Sequence, residues 1–184
     1  ARMKIAIIGP GNVGKALAIG WKKVGHSVAL GARDPQSEKS LAVGRELGLP
    51  VSSAPAAAAA AEVLLLATPW PATEAAVKDL GNISGKIVLD ATNPLKPDYS
   101  GLAIGTTGSG GESVAQWAAG ARVVKIFNST GYNNMANPVY GIDRATMFYC
   151  GDDAAAKQAA HILAADLGFD PVDAGPLAEA RMLE

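Results

Sequence analysis

Lys4-Ile5-Ala6-Ile7-Ile8-Gly9-Pro10-Gly11-Asn12-Val13-Gly14 decides the fold. Ile5 to Ile8 is an apolar, β-branched run bounded by glycine, which predicts a buried strand. Beyond it, Asn12 to Val24 carries Ala16, Leu17 and Trp21 at helical spacing. A strand that enters a helix through Gly-x-Gly-x-x-Gly is the context in which this pattern has a mechanism. Gly9 permits a tight turn, Gly11 lets the backbone approach a diphosphate, and Gly14 lets the helix pack close to the strand. The free amides of the first helical turn then face an anion. Gly9, Pro10, Gly11, Asn12, Val13 and Gly14 are therefore candidate dinucleotide-binding residues.

Outward from this turn the alternation continues. Strands are predicted over 26–30, 63–67, 86–90, 122–127, 146–150 and 169–172. Helices are predicted over 37–47, 54–61, 73–80, 112–119 and 154–167, several closed by a following glycine. Ser52 or Ser53 suits the cap of the alanine-rich helix, with Pro55 in its first turn. Residues 94–111, rich in glycine and proline, are expected to be irregular and mobile. Continuous apolar strands with helices between them predict an α/β, doubly wound, mostly parallel sheet covered on both faces, the Rossmann type. One such domain is expected over residues 3–184, with a short C-terminal extension over 146–184; Ala1-Arg2 precede Met3, which reads as the native start.

Composition agrees. With 184 residues, 49% of them apolar and 18% charged, the chain can build one core and shows no sign of disorder. Its net charge of −1, without a basic run, argues against nucleic acid or an anionic membrane as partner. A single cysteine, Cys150, forbids an intrachain disulfide and points to the cytoplasm. No apolar stretch is long enough to span a bilayer.

The end of the second strand selects the dinucleotide. A carboxylate ~20 positions past the glycine turn would bond a ribose 2′-hydroxyl and repel a 2′-phosphate. The sequence has Leu30-Gly31-Ala32-Arg33 instead, and Arg33 offers a planar fork suited to phosphate. Ala32 and Arg33, with Lys39 adding charge, thus favour NADP(H) over NAD(H). Asp34 reads as a cap of the next helix. Three further strand ends should line the same cleft. They carry Thr68, Pro69 and Trp70, then Asn93, then Asn128, residue types that suit a ribose or a nicotinamide amide but also dominate turns. Trp70 could stack on a ring, but a lone tryptophan more often buries apolar area, and the packing reading is slightly favoured.

Acid–base candidates are scarce. His26 falls at the amino end of a strand, His161 mid-helix; Asp90 and Cys150 lie inside apolar strands and read as structural. No catalytic residue, nucleophilic triad or metal-ligand cluster can be assembled. Hydride exchange between two cofactors requires mainly alignment and a dry pocket, so the scarcity fits that chemistry.

The glycine turn, Leu30-Gly31-Ala32-Arg33, Ala67-Thr68-Pro69-Trp70, Cys150-Gly151-Asp152-Asp153 and Asp173-Ala174-Gly175-Pro176-Leu177 together resemble the NADPH-dependent deazaflavin (coenzyme F420) reductases, and the reductase domain of the STEAP metalloreductases. The resemblance implies an NADP-dependent oxidoreductase working with F420 or a flavin-type acceptor. It implies a homodimer whose C-terminal helical tail helps form the second-cofactor pocket. Gly11, Asn12, Val13 and Arg33 would hold NADP, and Thr68 and Pro69 would lie by the nicotinamide. Two departures stand beside it. Residues 128–136 look like a broader dinucleotide-binding branch, and the family tail is short or missing at Glu184. Two alternatives remain: a small-substrate reductase of the pyrroline-carboxylate-reductase kind, and a non-enzymatic NADP(H) sensor. Arg33→Ala is expected to weaken NADPH binding by ~1–3 kcal/mol while sparing NADH; equal loss for both in a titration would refute the assignment.

Overall fold

A computed structural model describes residues 1–184. The strands are β1 (Lys4–Ile8), β2 (Ser27–Ala32), β3 (Val51–Ser53), β4 (Val63–Leu66), β5 (Ile87–Asp90), β6 (Arg122–Lys125), β7 (Val139–Tyr140), β8 (Asp143–Arg144), β9 (Thr146–Gly151) and β10 (Asp170–Asp173). The helices are α1 (Asn12–Lys23), α2 (Glu38–Leu47), α3 (Ala54–Ala60), α4 (Trp70–Lys78), α5 (Gly110–Trp117), α6 (Tyr132–Ala136), α7 (Ala154–Asp166) and α8 (Ala180–Leu183), with a 3-10 turn at Leu177–Glu179 before α8.

Eight strands form one sheet in the order β10-β9-β6-β5-β4-β1-β2-β3, while β7 and β8 pair as a separate hairpin. The strands from β3 to β6 across the sheet run parallel. After β1 the chain steps outward through β2 and β3; it then returns to β4 on the other side of β1 and steps away through β5 and β6. The reversal leaves a crevice at the carboxyl ends of β1 and β4, where doubly wound sheets take ligands. Residues after 145 extend this same sheet, β9 antiparallel against β6 and β10 parallel to β9. With that one antiparallel pair the sheet is mostly parallel, as expected.

Successive β1 side chains serve opposite faces. Ile5 and Ile7 join the core under α1 and α7, and Ala6 and Ile8 the core under α3 and α5. Two covered faces explain why the strands read as unbroken apolar runs. Trp21 of α1 is fully buried, meets Phe127 edge-on at 5.7 Å, and donates its indole N–H to the Leu163 carbonyl of α7 at 2.9 Å. It thereby joins two helices far apart in sequence.

Capping chemistry fixes most helix ends. Ser37 accepts from the Ser40 amide and Gly48 closes α2 at φ +60. Ser53 caps α3, with Pro55 in its first turn. Asp34 does not cap α2; its carboxylate accepts the Gln36 amide within the preceding turn. α4 starts at Trp70, earlier than the periodicity predicts, because Pro71 is tolerated in a first turn that needs no amide. α5 starts at Gly110, since Ser109 accepts the Glu112 amide and donates its hydroxyl to the Glu112 carboxylate. Within 94–109, expected to be irregular, Leu95 and Leu102 form a β-bridge closed by a hydrogen bond from Lys96 to the Gly101 carbonyl. β3, α6 and the β7–β8 hairpin, each of six residues or fewer, have no counterpart in the sequence reading. No helix is long and apolar enough to cross a membrane.

Trp21→Ala is expected to lower the unfolding free energy by about 3–5 kcal/mol in chemical denaturation. A loss under about 1 kcal/mol would show that α1 is not held through this side chain.

Candidate functional site

The candidate residues lie at or just beyond the carboxyl ends of β1, β2, β4, β5 and β6, on one edge of the sheet. Backbone contact builds its centre. Gly9 has φ +89, and a Cβ there would sit 2.8 Å from the Ala67 carbonyl carbon and oxygen and 2.9 Å from Thr68 Cγ2. The turn after β1 therefore presses directly on the end of β4. A Cβ on Gly14 would sit 2.5 Å from the Gly9 carbonyl oxygen, so α1 reaches this turn only with glycine at 14. Gly11 is the opposite case, exposed with open space where a Cβ would be. As N-cap of α1 it offers no side-chain acceptor. The first-turn amides, including those of Asn12 and Val13, are left for another acceptor at the positive end of the helix. Asn12 is exposed, Pro10 and Val13 half-buried, and Val13 also packs on the core.

Gly31 lets α3 close on β2, as a Cβ there would meet Ala54 Cα and Ala57 Cβ of α3 at 3.2 Å, besides Ile8 Cδ1 of β1 at 2.6 Å. Ala32 ends β2 buried, and Arg33 follows it, exposed, with neither ion pair nor hydrogen bond. Its guanidinium is free to take an anion. Lys39 is exposed in the first turn of α2.

At the end of β4 the Thr68 hydroxyl pairs with the Thr73 hydroxyl at 2.9 Å, and Thr73 donates to the Pro69 carbonyl at 3.0 Å. Trp70 lies 5.4 Å from the Trp117 ring, and a Cβ on Gly110 would be 3.1 Å from it. The packing reading of Trp70 accounts for this contact with α5.

Beyond β5 and β6, Asn93 and Asn128 meet. The Asn93 amide donates to the Asn128 carbonyl at 3.0 Å, and Asn128 Nδ2 donates to Asn93 Oδ1 at 3.2 Å and to the Leu183 carbonyl at 2.9 Å. Asn128 Oδ1 is buried without a partner. Phe127, just before it, has φ +65, a left-handed conformation costly to a bulky residue and held here by full burial.

Beside this pair lies an ion cluster that the sequence reading missed. Lys125 Nζ stands 3.1 Å from Asp90 Oδ2 and 2.6 Å from Glu184 Oε1, and donates to the Thr92 carbonyl. All three charged side chains are essentially excluded from solvent. Asp90 also accepts the Thr92 amide and hydroxyl, and Glu184 accepts the Gly110 and Gly111 amides at 2.7 and 2.9 Å. The positive end of α5 thus balances the second carboxylate. Asp90 was expected to be hydrogen-bonded and structural; its partner was hidden because Lys125 reads as one charge within an apolar strand. A second clamp holds the same segment. Arg181 bonds Glu112 through two nitrogens, at 2.9 and 2.7 Å, and that bond holds the Glu112 carboxyl below the usual carboxylate range.

Neither histidine joins this cluster, whereas Cys150 lies opposite Lys125 in the β6–β9 pair. His26, at the amino end of β2, accepts the Met3 amide at 3.1 Å and faces Asp166 at 2.8 Å. His161 of α7 pairs with the Tyr149 hydroxyl at 3.1 Å. Burial pushes the Cys150 thiol up to about 12, so it packs rather than reacts. No group of three or more His, Cys, Asp or Glu is placed to hold a metal ion.

Lys125→Met is expected to destabilise the chain by about 3–5 kcal/mol, because two buried carboxylates lose their common counter-ion. Urea denaturation measures this, and a change under about 1 kcal/mol would show that the cluster is not an electrostatic unit.

Comparison with known proteins places the chain. Residues 4–94 match the family described as NADP oxidoreductase, coenzyme F420-dependent. A proposed F420-dependent NADP reductase of Arthrobacter sp. FB24 superposes with a TM-score of 0.89 at 32% identity, over 98% of this chain and 88% of its own. Hypothetical protein SMa0349 of Sinorhizobium meliloti superposes with a TM-score of 0.84 at 29% identity, over 96% of this chain and 86% of its own. The metalloreductase STEAP3 of Rattus norvegicus is 29% identical over 98% of this chain, which spans 36% of that protein's length. On the match over nearly its whole length to the Arthrobacter protein, the chain belongs to the coenzyme F420-dependent NADP oxidoreductase family.

Proposed function

We propose that the chain binds NADP(H) along the carboxyl edge of its sheet and exchanges hydride with a deazaflavin (coenzyme F420) or flavin-type acceptor. The observation that carries this is the cradle at Gly9 and Gly14. Two positions that no larger residue could occupy bring the amide end of α1 to the crevice between β1 and β4. That arrangement suits a diphosphate. The Asn12 and Val13 amides would hold it, with Gly11 leaving room for close approach. Arg33, unpaired, would take the 2′-phosphate with a bidentate fork, and Lys39 would add charge. Thr68 and Pro69 would lie by the nicotinamide, with Asn93 and Asn128 at its amide. NADP(H), when bound, supplies or accepts the hydride; the protein aligns it with the acceptor and excludes water.

The acceptor class follows from what this edge lacks. Asp90, Lys125 and Glu184 are committed to one another, and the two histidines are committed to contacts with Met3, Asp166 and Tyr149. Reduction of a carbonyl or imine needs a positioned proton donor, whereas transfer between two redox cofactors needs chiefly alignment. Family membership supports the same choice.

A screen of NADPH oxidation with the deazaflavin, FMN, FAD and ferric chelates tests the reading. Turnover is expected with the deazaflavin or a flavin. Tight NADPH binding with no turnover on any acceptor would leave a sensor and end the enzymatic reading.

A further inference from the structure

Asn128 has one amide whose orientation matters. Its two N–H groups are spent on the Leu183 carbonyl and Asn93 Oδ1, and its oxygen is buried without a donor. With the amide reversed, the oxygen would face those two acceptors and be repelled by both. Leu183 is therefore one of two groups that decide which end of this amide is left over. Its neighbour Glu184 is tied to the Gly110 and Gly111 amides and to Lys125. We propose that the Lys125–Glu184 pair is a positioning device that, through the Leu183 carbonyl, sets the Asn128 oxygen to accept from the carboxamide of the bound nicotinamide. The proposal rests on the NADP(H) reading above and adds two residues, Lys125 and Glu184, that act on the cofactor without touching it.

The physical case has three parts. A buried acceptor lacking a donor is a standing cost, and a primary carboxamide brings an N–H of the kind it lacks. Asn128 follows β6, two places from β4, so the residue lies on the edge where the strands from β1 to β6 end. The left-handed Phe127 turns the chain at this point, an irregular conformation of the kind that gathers at binding sites.

The test compares NADP+ with its 3-acetylpyridine analogue, whose acetyl group has no N–H, by titration calorimetry. 2′,5′-ADP reports the adenosine end separately. The unaltered chain is expected to favour NADP+ over the analogue by about tenfold, the scale of one hydrogen bond. Asn128→Ala and Glu184→Gln are expected to bring that ratio near unity while 2′,5′-ADP binding stays unchanged. Where Glu184→Gln fails to fold, Glu184→Asp, which keeps the charge but shortens its reach, is expected to lower the ratio likewise. A ratio near unity in the unaltered chain, or an unchanged ratio in the Glu184 variants, overturns the proposal. Failure of the unaltered chain to bind 2′,5′-ADP removes the cofactor reading itself, and this proposal with it.

Discussion

The carbonyl of Ala67 and the turn at Gly9 come so close that no side chain fits between them, and the rest of the binding edge depends on that contact. A Cβ at 2.8 Å from a carbonyl carbon is well inside van der Waals contact, and the left-handed φ of Gly9 adds a second objection to any larger residue. Gly14 repeats the constraint from the helix side, where the clash would be with the Gly9 carbonyl itself. Together they fix where α1 begins. Because the strand order reverses between β1 and β4, the helix begins above a crevice rather than above a packed strand. The amides at the start of this twelve-residue helix lack a side-chain cap, and the positive end of the helix favours an anion there.

The other end of the edge is built from charge rather than from close backbone. Lys125 lies between two carboxylates, and all three side chains are shut off from solvent. Such a cluster gains little net stability over an apolar replacement, but it is unforgiving once one member is removed. What it supplies is placement. It joins the end of β5, the end of β6, the start of α5 and the segment after Leu177, and Arg181 and Glu112 fasten that segment a second time. Gly111 belongs to the same arrangement, since a Cβ there would press on Ala180 at 3.2 Å.

The parts legible in the sequence are those whose signal is local. The glycine turn, the apolar strands, the cap at Ser53 and the stop at Gly48 each carry their physics within a few residues, and each stands where it was expected, whereas the cap of α2 is Ser37 and not Asp34. Edge structure was harder. β3 has three residues and takes its identity from pairing with β2, and the antiparallel direction of β9 is set by the chain's path through α6 and the hairpin. The Ser109–Glu112 cap was present as Ser-x-x-Glu and would have placed the start of α5 correctly. The Lys125 cluster was beyond reach for a different reason. Its members lie 35 and 59 positions apart, and only the fold brings them together. A lysine inside an apolar strand is nevertheless a signal that a buried carboxylate must be found for it.

A crystal structure of the chain with NADP+ tests the central claim most directly. The account predicts the diphosphate within hydrogen-bond distance of the Asn12 and Val13 amides, with the 2′-phosphate against Arg33 and no movement of Gly9 from Ala67. A cofactor bound elsewhere, for example in the groove beside Arg122 and Asp153, or an α1 that shifts to admit it, would contradict the account.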